Sequence, residues 1–401
     1  MNILILTPLY PADDTLSTNT PIVHYFTREW VKMGCRVVVA HYQSAFPKFV
    51  YWFGKYFKRQ IEKRVGFIIP PHALAEKEFT NEGVEVKRFI LHKLRPHSRY
   101  GKTEITKAVD NTVQYCKSIH FRPDVIAFHW LNPQMEIAHF LKQYFNVPLC
   151  YVVHDGIGDF ATIYKNECDM FLNDIDVIGY RSRAIKREFE NKVKIKSNYF
   201  MCYSGIPQEF LMKNEYRKHF EECNSILYVG TLIARKYPTE ILKAAAKAFI
   251  GQNFSVRFVG VGSEKCKLEN YIQKNSLEDN VVLYGKVSRD KVVELMRKTE
   301  IFAMISKNET YGLVYLEAMA AGCITIASRD EGFDGIIENG VNGFLCEAGN
   351  VEELITILNY IQHLSKNDLL RISMNAINTA KKLTDFEVAK IYLNSLCSVV
   401  K

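Results

Sequence analysis

A single stretch in the last third of the chain constrains the fold more than any other part of it. Residues 301–305 form an apolar run that predicts a buried strand. Residues 312–321 are rich in Leu, Glu, Ala and Met and predict a helix that ends at Gly322. Residues 324–327 then predict another strand at once. Such strand–helix–strand units are typical of doubly wound α/β proteins with parallel sheets.

Two glutamates in this stretch predict a ligand site. Glu309 lies on the loop before the helix, and Glu317 lies on its second turn. The backbone N–H groups of Gly312, Leu313 and Val314 lack acceptors inside the helix, and the helix dipole favours an anion beside them. Glu317 lies about 7–8 Å further along the axis, where its carboxylate can accept two hydrogen bonds from a vicinal diol. An anion site beside a diol acceptor suits a sugar nucleotide, whereas two merely solvated glutamates are the alternative.

The string ETYGLVYLEAMAAG, residues 309–322, resembles the Glu-x7-Glu signature of the family 4 retaining glycosyltransferases. That resemblance implies the GT-B fold: α/β, with two doubly wound Rossmann-like domains facing a cleft and a C-terminal helix crossing back to the first domain. We therefore expect an N-terminal acceptor-side domain over residues 1–203 and a nucleotide-sugar-binding domain over residues 204–384. The helix over residues 385–401 is expected to pack back on the first domain.

Composition and charge agree with such a protein. With 401 residues, 48% of them apolar and 24% charged, the chain suits two soluble globular domains. The net charge of +8 suits a phosphate-bearing ligand or an anionic membrane surface and gives no argument for nucleic acid. Ten scattered cysteines without a Cys-x-x-Cys pair indicate free thiols in a reducing compartment and no zinc site.

The cellular location is predicted from the apolar runs of the sequence. No apolar run approaches the ~20 residues of a membrane span, and the first residues lead straight into a predicted strand. We therefore expect a cytoplasmic protein, with peripheral attachment to the inner face of the plasma membrane as a further expectation.

The first half of the chain alternates strands and helices, and two of its strands end in histidine. His129 ends the strand over residues 123–130, and His154 followed by Asp155 ends the strand over residues 147–155. Ligands bind beyond the carboxyl ends of parallel strands, so both histidines are candidates. A structural role is the usual alternative for a single histidine. His154 resembles the family's strand-end histidine that lies over the donor sugar and the α-phosphate, while His129 and Asp155 are secondary candidates. Residues 176–180 are predicted as the last clear strand of this half.

The second half carries the remaining candidates on its strand-end loops. The family's diphosphate clamp is an Arg and a Lys after the first strand, and Arg235 and Lys236 occupy that loop. The family's usual Arg after the glycine is replaced by Thr231, so Arg235 is the expected second cation. The loop of Gly285, Lys286 and Val287 resembles the one that contacts the base, and Gly262 ends the preceding strand's glycine pair.

One stretch of the first half combines aromatic and basic residues in an unusual density. Within residues 46–64, aromatic and apolar side chains including Phe49, Trp52 and Phe53 share one face of a helical wheel, and basic residues lie opposite. This pattern suits the interface of an anionic membrane. A helix packed on its own domain is the alternative.

The resemblance thus implies a retaining, metal-independent glycosyltransferase with no cofactor. It would move a hexose or N-acetylhexosamine from a nucleotide diphosphate sugar, with a UDP-sugar expected, to a glycan or lipid-linked acceptor in cell-surface polysaccharide synthesis. Glu309, His154, Arg235 and Lys236 are the expected catalytic residues. The alternatives are a non-catalytic sugar-nucleotide-binding adaptor and an epimerase or hydrolase of the same fold.

Overall fold

The computed structural model shows an α/β chain in two compact units. It describes residues 1–14, 21–47, 74–93, 98–154, 163–164, 167–194, 197–212, 220 and 222–400. The first unit comprises Met1–Tyr180, Arg187–Cys202 and Val388–Lys401. The second comprises Arg181–Lys186 and Tyr203–Glu387. The sequence-based boundary between residues 203 and 204 stays a prediction.

The first unit is built on an eight-stranded sheet in the order β3-β4-β2-β1-β5-β6-β7-β8. Neighbouring strands are parallel except for the antiparallel pair β3–β4. Every residue of β5 and β6 is buried, as expected for central parallel strands covered on both faces. The strands are β1 (Asn2–Thr7), β2 (Arg36–Ala45), β3 (Lys77–Asn81), β4 (Val84–His92), β5 (Val125–His129), β6 (Leu149–Val153), β7 (Val177–Tyr180) and β8 (Asn198–Met201).

Helices connect these strands, and the last helix of the chain completes the unit. The helices are α1 (Ile22–Lys32), α2 (Lys102–Ser118), α3 (Gln134–Phe145), α4 (Cys168–Asn173), α5 (Arg183–Lys192) and, at the end of the chain, α12 (Asp385–Cys397). α5 belongs to the first unit only from Arg187 onward. From Val388 onward, α12 belongs to the first unit. There the indole N–H of Trp30 donates to the carbonyl oxygen of Ala389 over 2.8 Å. The predicted return of the C-terminal helix is therefore confirmed.

Two strands of the first sheet depart from the sequence-based prediction. Residues 176–180, predicted as the last clear strand of this half, form β7, and a further strand, β8, follows and pairs with it. β8 lies at the sheet edge with two of its four residues exposed, so it lacks the apolar run that identifies a central strand. The antiparallel β3 was also missed, since its sequence KEFTN is largely polar.

The second unit is built on a six-stranded parallel sheet in the order β11-β10-β9-β12-β13-β14. Its strands are β9 (Ser225–Val229), β10 (Ser255–Val259), β11 (Val281–Gly285), β12 (Ile301–Ala303), β13 (Ile324–Ser328) and β14 (Phe344–Cys346). Its helices are α6 (Pro238–Ala248), α7 (Lys265–Lys274), α8 (Arg289–Lys298), α9 (Leu313–Ala320), α10 (Val351–His363) and α11 (Lys366–Lys381). Short 3-10 turns cover Gln208–Phe210 and Ala234–Lys236.

Local sequence explains several helix starts in this unit. The side chains of Ser288, Asn350 and Ser365 each accept a hydrogen bond from the backbone N–H three residues later. Such N-caps satisfy a donor that the helix leaves without a partner. α9 begins one residue later and ends one residue earlier than the predicted helix over residues 312–321.

All ten cysteines lie in the part of the chain that the structure describes, and all ten are free thiols. No helix among the described residues is long and apolar enough to cross a membrane. The aromatic and basic residues 48–64 lie outside the described residues.

Candidate functional site

The topology of the second sheet indicates where a ligand would bind. The strand order reverses at β9, which has β10 on one side and β12 on the other. Ligands of doubly wound sheets bind beyond the carboxyl ends of the strands at such a switch point. The loop after β9 carries Arg235 and Lys236, and the loop after β12 carries Glu309. Three of the predicted residues therefore lie at the switch point of one sheet.

These three side chains are close together. The Lys236 ammonium lies 3.2 Å from Oε2 of Glu309, and a guanidinium nitrogen of Arg235 lies 3.8 Å from the same oxygen. The hydroxyl of Ser306 donates to Oε2 over 3.2 Å. The Lys236 and Glu309 side chains are 13% and 14% exposed, so their ion pair is largely withdrawn from water. Arg235 is more open, at 43% exposed.

Arg235 also ties the two loops together through the backbone. Its Nη1 donates to the carbonyl oxygens of Lys307 and Asn308 over 3.1 and 3.2 Å. In return, the N–H of Lys307 donates to the carbonyl oxygen of Arg235 over 2.7 Å. The cation predicted for the diphosphate therefore has a structural role as well, in fixing the loop that presents Glu309.

A third loop, the one after β13, contacts the backbone of Glu309. The backbone N–H of Glu309 donates to Oε2 of Glu331 over 2.8 Å, and Glu331 lies in the loop after β13. A Cβ atom on Gly332 would lie 2.4 Å from the carbonyl oxygen of Glu309, so only glycine permits this approach. Two cations thus face the Glu309 carboxylate, and Glu331 holds the Glu309 backbone. Because an ammonium group has three N–H donors, Lys236 can hold Glu309 and still bind a phosphate oxygen.

The start of α9 has the form that the sequence predicts. Gly312 precedes the helix with φ of 82°, a left-handed conformation that favours glycine. A Cβ atom there would lie 2.4 Å from the Tyr315 ring. The N–H groups of Leu313 and Val314 have no acceptor within the helix by its geometry. Gly312 therefore allows both the turn into the helix and close access to its N-terminus.

Several other residues of the same string are structural. The Tyr311 hydroxyl donates to the carbonyl oxygen of Ser204 over 2.8 Å, and the Tyr315 hydroxyl donates to that of Met304 over 2.8 Å. Both tyrosines are buried. The string therefore combines a buried scaffold with two glutamates that keep some exposure.

Glu317 has a partner that the sequence did not suggest. Oε1 of its carboxylate lies 2.6 Å from the guanidinium of Arg289, the first residue of α8. The Glu317 side chain is 11% exposed, and burial raises the pKa of its carboxyl while Arg289 lowers it. Arg289 also stacks on Phe210, with the guanidinium carbon 4.5 Å from the ring centre.

Glycines bring the neighbouring strand-end loops into contact with the loop after β9. Cβ atoms on Gly260 and Gly262 would lie 1.9 Å from the carbonyl oxygen of Gly230 and 2.1 Å from that of Leu232. The Gly260 N–H donates to the carbonyl oxygen of Gly285 over 2.8 Å. Lys286, predicted near the base, is exposed, and Val287 is half-buried. The roles of Gly262, Gly285, Lys286 and Val287 in donor binding stay predictions.

In the first unit the two strand-end histidines form a pair. The strand order reverses at β1, between β2 and β5, and His129 ends β5 at this switch point. Nδ1 of His129 lies 2.9 Å from Nε2 of His154, and the Trp130 ring stacks on His154 with centres 3.9 Å apart. Nε2 of His129 lies 3.3 Å from the hydroxyl of Tyr392 on α12. Both imidazoles are buried. Asp155 lies outside the described residues.

The residues that sequence reasoning missed are Arg289, Glu331 and Tyr392. Glu331 lies in the short loop after a predicted strand, and that position is the signal that could have found it. Arg289 and Tyr392 carry no such signal, because their partners become neighbours only when distant helices pack. Within the described ranges, no group of three or more His, Cys, Asp or Glu side chains is placed to hold a metal ion.

Comparisons with known proteins support this reading of the second unit. Residues 213–382 match the family Glycosyl transferases group 1. A glycosyltransferase of Methanocaldococcus jannaschii, itself uncharacterized, is 30% identical over 237 residues, which are 58% of this chain and 63% of that protein. The N-acetyl-alpha-D-glucosaminyl L-malate synthase of Bacillus anthracis is 26% identical over 243 residues, 57% of this chain and 62% of that protein. The matches therefore span less than two thirds of these relatives.

A solved structure extends the likeness to the whole chain. The crystal structure of HepE from Anabaena in complex with UDP aligns with a TM-score of 0.69 and 18% identity, over 99% of this chain and 100% of that one. The fold prediction is confirmed: the chain has the GT-B fold, with two Rossmann-like domains.

Proposed function

We propose that the protein is a retaining family 4 glycosyltransferase that uses a nucleotide diphosphate sugar. The observation that carries the proposal is the largely buried Lys236–Glu309 pair at the switch point of the second sheet, beside the start of α9 that Gly312 precedes. A cation and a helix N-terminus suit a diphosphate, and a carboxylate suits sugar hydroxyls and positive charge at the anomeric carbon. The family match over residues 213–382 supports the same assignment.

The proposed reaction is a displacement at the anomeric carbon. The acceptor hydroxyl oxygen forms a bond to that carbon, and the bond from the carbon to the diphosphate oxygen breaks. The bonding electron pair leaves with the diphosphate, and the acceptor proton passes to a phosphate oxygen. Negative charge grows on the diphosphate as the bond breaks, so Lys236, Arg235 and the start of α9 would stabilise the transition state more than the ground state.

Those cations are also the basis for proposing that no divalent metal is needed. Lys236 is held within 3.2 Å of Glu309 and can offer its remaining N–H groups to phosphate oxygens without a metal bridge. Activity should therefore survive EDTA. Loss of activity in chelator that manganese restores would contradict this part of the proposal.

The expected donor is a UDP-sugar carrying a hexose or N-acetylhexosamine. HepE, of the same fold, binds UDP, and the B. anthracis relative is named for an N-acetylglucosaminyl group. The expected acceptor is a glycan or a lipid-linked glycan in cell-surface polysaccharide synthesis. Residues 46–64 would bring the protein to an anionic membrane on the cytoplasmic side, since their basic and aromatic residues favour such an interface.

Purified protein with UDP-glucose, UDP-galactose and UDP-N-acetylglucosamine tests the activity. We expect UDP release that increases when a lipid-linked acceptor is added. NMR of the product should show the same anomeric configuration as the donor sugar. Glu309→Ala should lose turnover. Nucleotide binding without turnover would favour the adaptor instead, and free sugar or its epimer as the sole product would favour a hydrolase or epimerase.

Flotation with anionic liposomes tests the membrane contact. Wild-type protein should float and should float less as salt rises, because the basic part of the attraction is screened. Changing both Trp52 and Phe53 to Ser should reduce flotation at every salt concentration, because it removes the apolar part. Equal flotation of the double variant would identify the stretch as part of the first domain.

A further inference from the structure

The Arg289–Glu317 pair lies beside the catalytic cluster without belonging to it. Arg289 begins α8 and Glu317 lies on the second turn of α9, so the pair links two helices of the same unit. The guanidinium nitrogen and Oε1 are 2.6 Å apart. The Arg289 side chain is 39% exposed, whereas that of Glu317 is 11% exposed. An open arginine therefore reaches a largely enclosed carboxylate.

Enclosure presents a problem for a carboxylate that must accept hydrogen bonds. Withdrawal from water favours the neutral acid, and burial is the largest influence raising the pKa of Glu317. The charge and hydrogen bond of Arg289 act in the opposite direction. A protonated carboxyl would offer a donor in place of one acceptor, so its ability to bind a diol depends on the cation beside it.

Arg289 is itself held in place from the other side. Its guanidinium carbon lies 4.5 Å from the centre of the Phe210 ring, a distance at which a cation–π contact is favourable. Arg297, on the same helix, donates to the carbonyl oxygen of Glu209 over 3.2 Å. Two arginines from opposite ends of α8 thus contact one 3-10 turn.

We propose that Arg289 is a positioning residue that keeps Glu317 ionised and oriented as the acceptor for the ribose diol of the donor nucleotide. The inference rests on the proposed function, in which the donor is a nucleotide sugar whose ribose would supply the vicinal diol predicted for Glu317. Arg289 contacts Oε1, and a carboxylate has about four lone-pair directions, so acceptor sites remain for the two hydroxyls. The ribose-dependent part of nucleotide affinity therefore depends on Arg289, although Arg289 itself need not touch the nucleotide.

Calorimetry with paired nucleotides separates this role from a merely structural ion pair. The probe is whichever of UDP, GDP and ADP binds wild type most tightly, together with its 2′,3′-dideoxy analogue. Arg289→Gln should weaken the ribonucleotide by about tenfold, the equivalent of one charge-assisted hydrogen bond. Affinity for the dideoxy analogue should stay within about twofold, because that ligand makes no contact through the diol. Arg289→Lys should restore part of the loss.

The pH dependence of nucleotide affinity gives a second test of the same role. Without the cation, burial acts unopposed and the carboxyl protonates at a higher pH. As the pH is lowered, both proteins should lose their preference for the ribonucleotide over the dideoxy analogue. Arg289→Gln should lose it at a higher pH than wild type. Arg297→Gln is the matched control, because it removes an arginine from the same helix without touching Glu317, and it should leave both affinities unchanged.

Three results would overturn the inference, and they differ from one another. If Arg289→Gln weakened binding of the ribonucleotide and of its dideoxy analogue equally, the substitution would have damaged the site in general. If wild type bound the ribonucleotide and its dideoxy analogue with equal affinity, Glu317 would not bind the ribose. The proposed transfer activity would then still be judged by its own assay. Failure of wild type to bind any of the three nucleotides would overturn the proposed function along with the inference.

Discussion

The two sheets reverse their strand order in the same way, yet their carboxyl ends carry different chemistry. Around the switch point of the second sheet lie Lys236, Arg235 and Glu309 in a network of opposite charges. At the switch point of the first sheet lies an imidazole pair, His129 and His154, between aromatic rings. The second unit is therefore suited to phosphate and developing charge, whereas the first offers two imidazole rings packed among aromatic side chains.

The difference extends through each unit. Of the eleven histidines, only His219 and His363 lie in the sequence range of the second unit. All three tryptophans, Trp30, Trp52 and Trp130, lie in the range of the first. The two units should therefore respond differently to acid, and tryptophan fluorescence should report unfolding of the first unit alone.

The strongest test of the comparison is Lys236→Ala. If the second unit handles the charge of the leaving diphosphate, the variant loses a preorganised donor from the transition state. Such losses lower turnover by about 10²–10³-fold. Steady-state kinetics should show this fall with the urea midpoint little changed.

Lys247→Ala provides the matched control. Lys247 lies on α6, is 59% exposed and pairs with Glu352 on the surface. Exposed ion pairs contribute about 0–1 kcal/mol, so this variant should keep wild-type turnover. Similar kinetics for the two lysine variants would remove the second-unit cluster from the reaction.

Acidification should affect the first unit first, through His41. This buried side chain contacts the carbonyl oxygen of Pro8 over 3.1 Å, and burial, followed by the nearby charge of Arg88, lowers its pKa from 6.5 to about 4. Between these values the unfolded chain binds a proton that the folded chain does not, so stability falls as the pH falls from 6.5 to 4. At about 1.4 kcal/mol per pKa unit, the loss reaches about 3 kcal/mol.

Urea unfolding followed by tryptophan fluorescence at several pH values measures this loss. His41→Gln keeps an N–H donor for Pro8 and removes the titration, so its stability should depend less on pH over the same range, whatever its stability at neutral pH. A first unit whose urea midpoint is the same at pH 7 and pH 4.5 would contradict the prediction.

The charged cluster of the second unit was easier to predict from the sequence than the histidine pair of the first unit, for a physical reason. Glu309, Gly312 and Glu317 lie within nine residues, so they are neighbours along the chain, and helix geometry sets the distance from Gly312 to Glu317. The doubly wound fold follows from apolar runs that parallel sheets require. The first site joins His129, His154 and Tyr392, and only the packing of α12 brings the last of these to the others. The same holds for Arg289, whose contact with Glu317 depends on how α8 lies against α9.

The smallest expected effect is that of Tyr392→Phe in the first site. The Tyr392 ring is fully buried and meets Trp30 and Phe26 edge to face, at 4.8 and 5.4 Å between centres. Phenylalanine keeps that packing and removes the hydroxyl, which contacts Nε2 of His129 over 3.3 Å and accepts from the Cys150 thiol over 3.8 Å. We expect a loss of about 1 kcal/mol in the free energy of unfolding, the usual net contribution of such a hydrogen bond.

The kinetic effect of Tyr392→Phe decides whether the comparison holds. His129 keeps its contact with His154, so turnover should fall by less than about threefold, a difference under 1 kcal/mol. Ile391→Ala is the control on the same helix: Ile391 is 44% exposed, and its loss should change stability by no more than about 0.5 kcal/mol. A fall in turnover as large as that of Lys236→Ala, at unchanged stability, would place the decisive chemistry in the histidine pair, because the other contact of the hydroxyl, the buried Cys150 thiol, has no part in the proposed reaction.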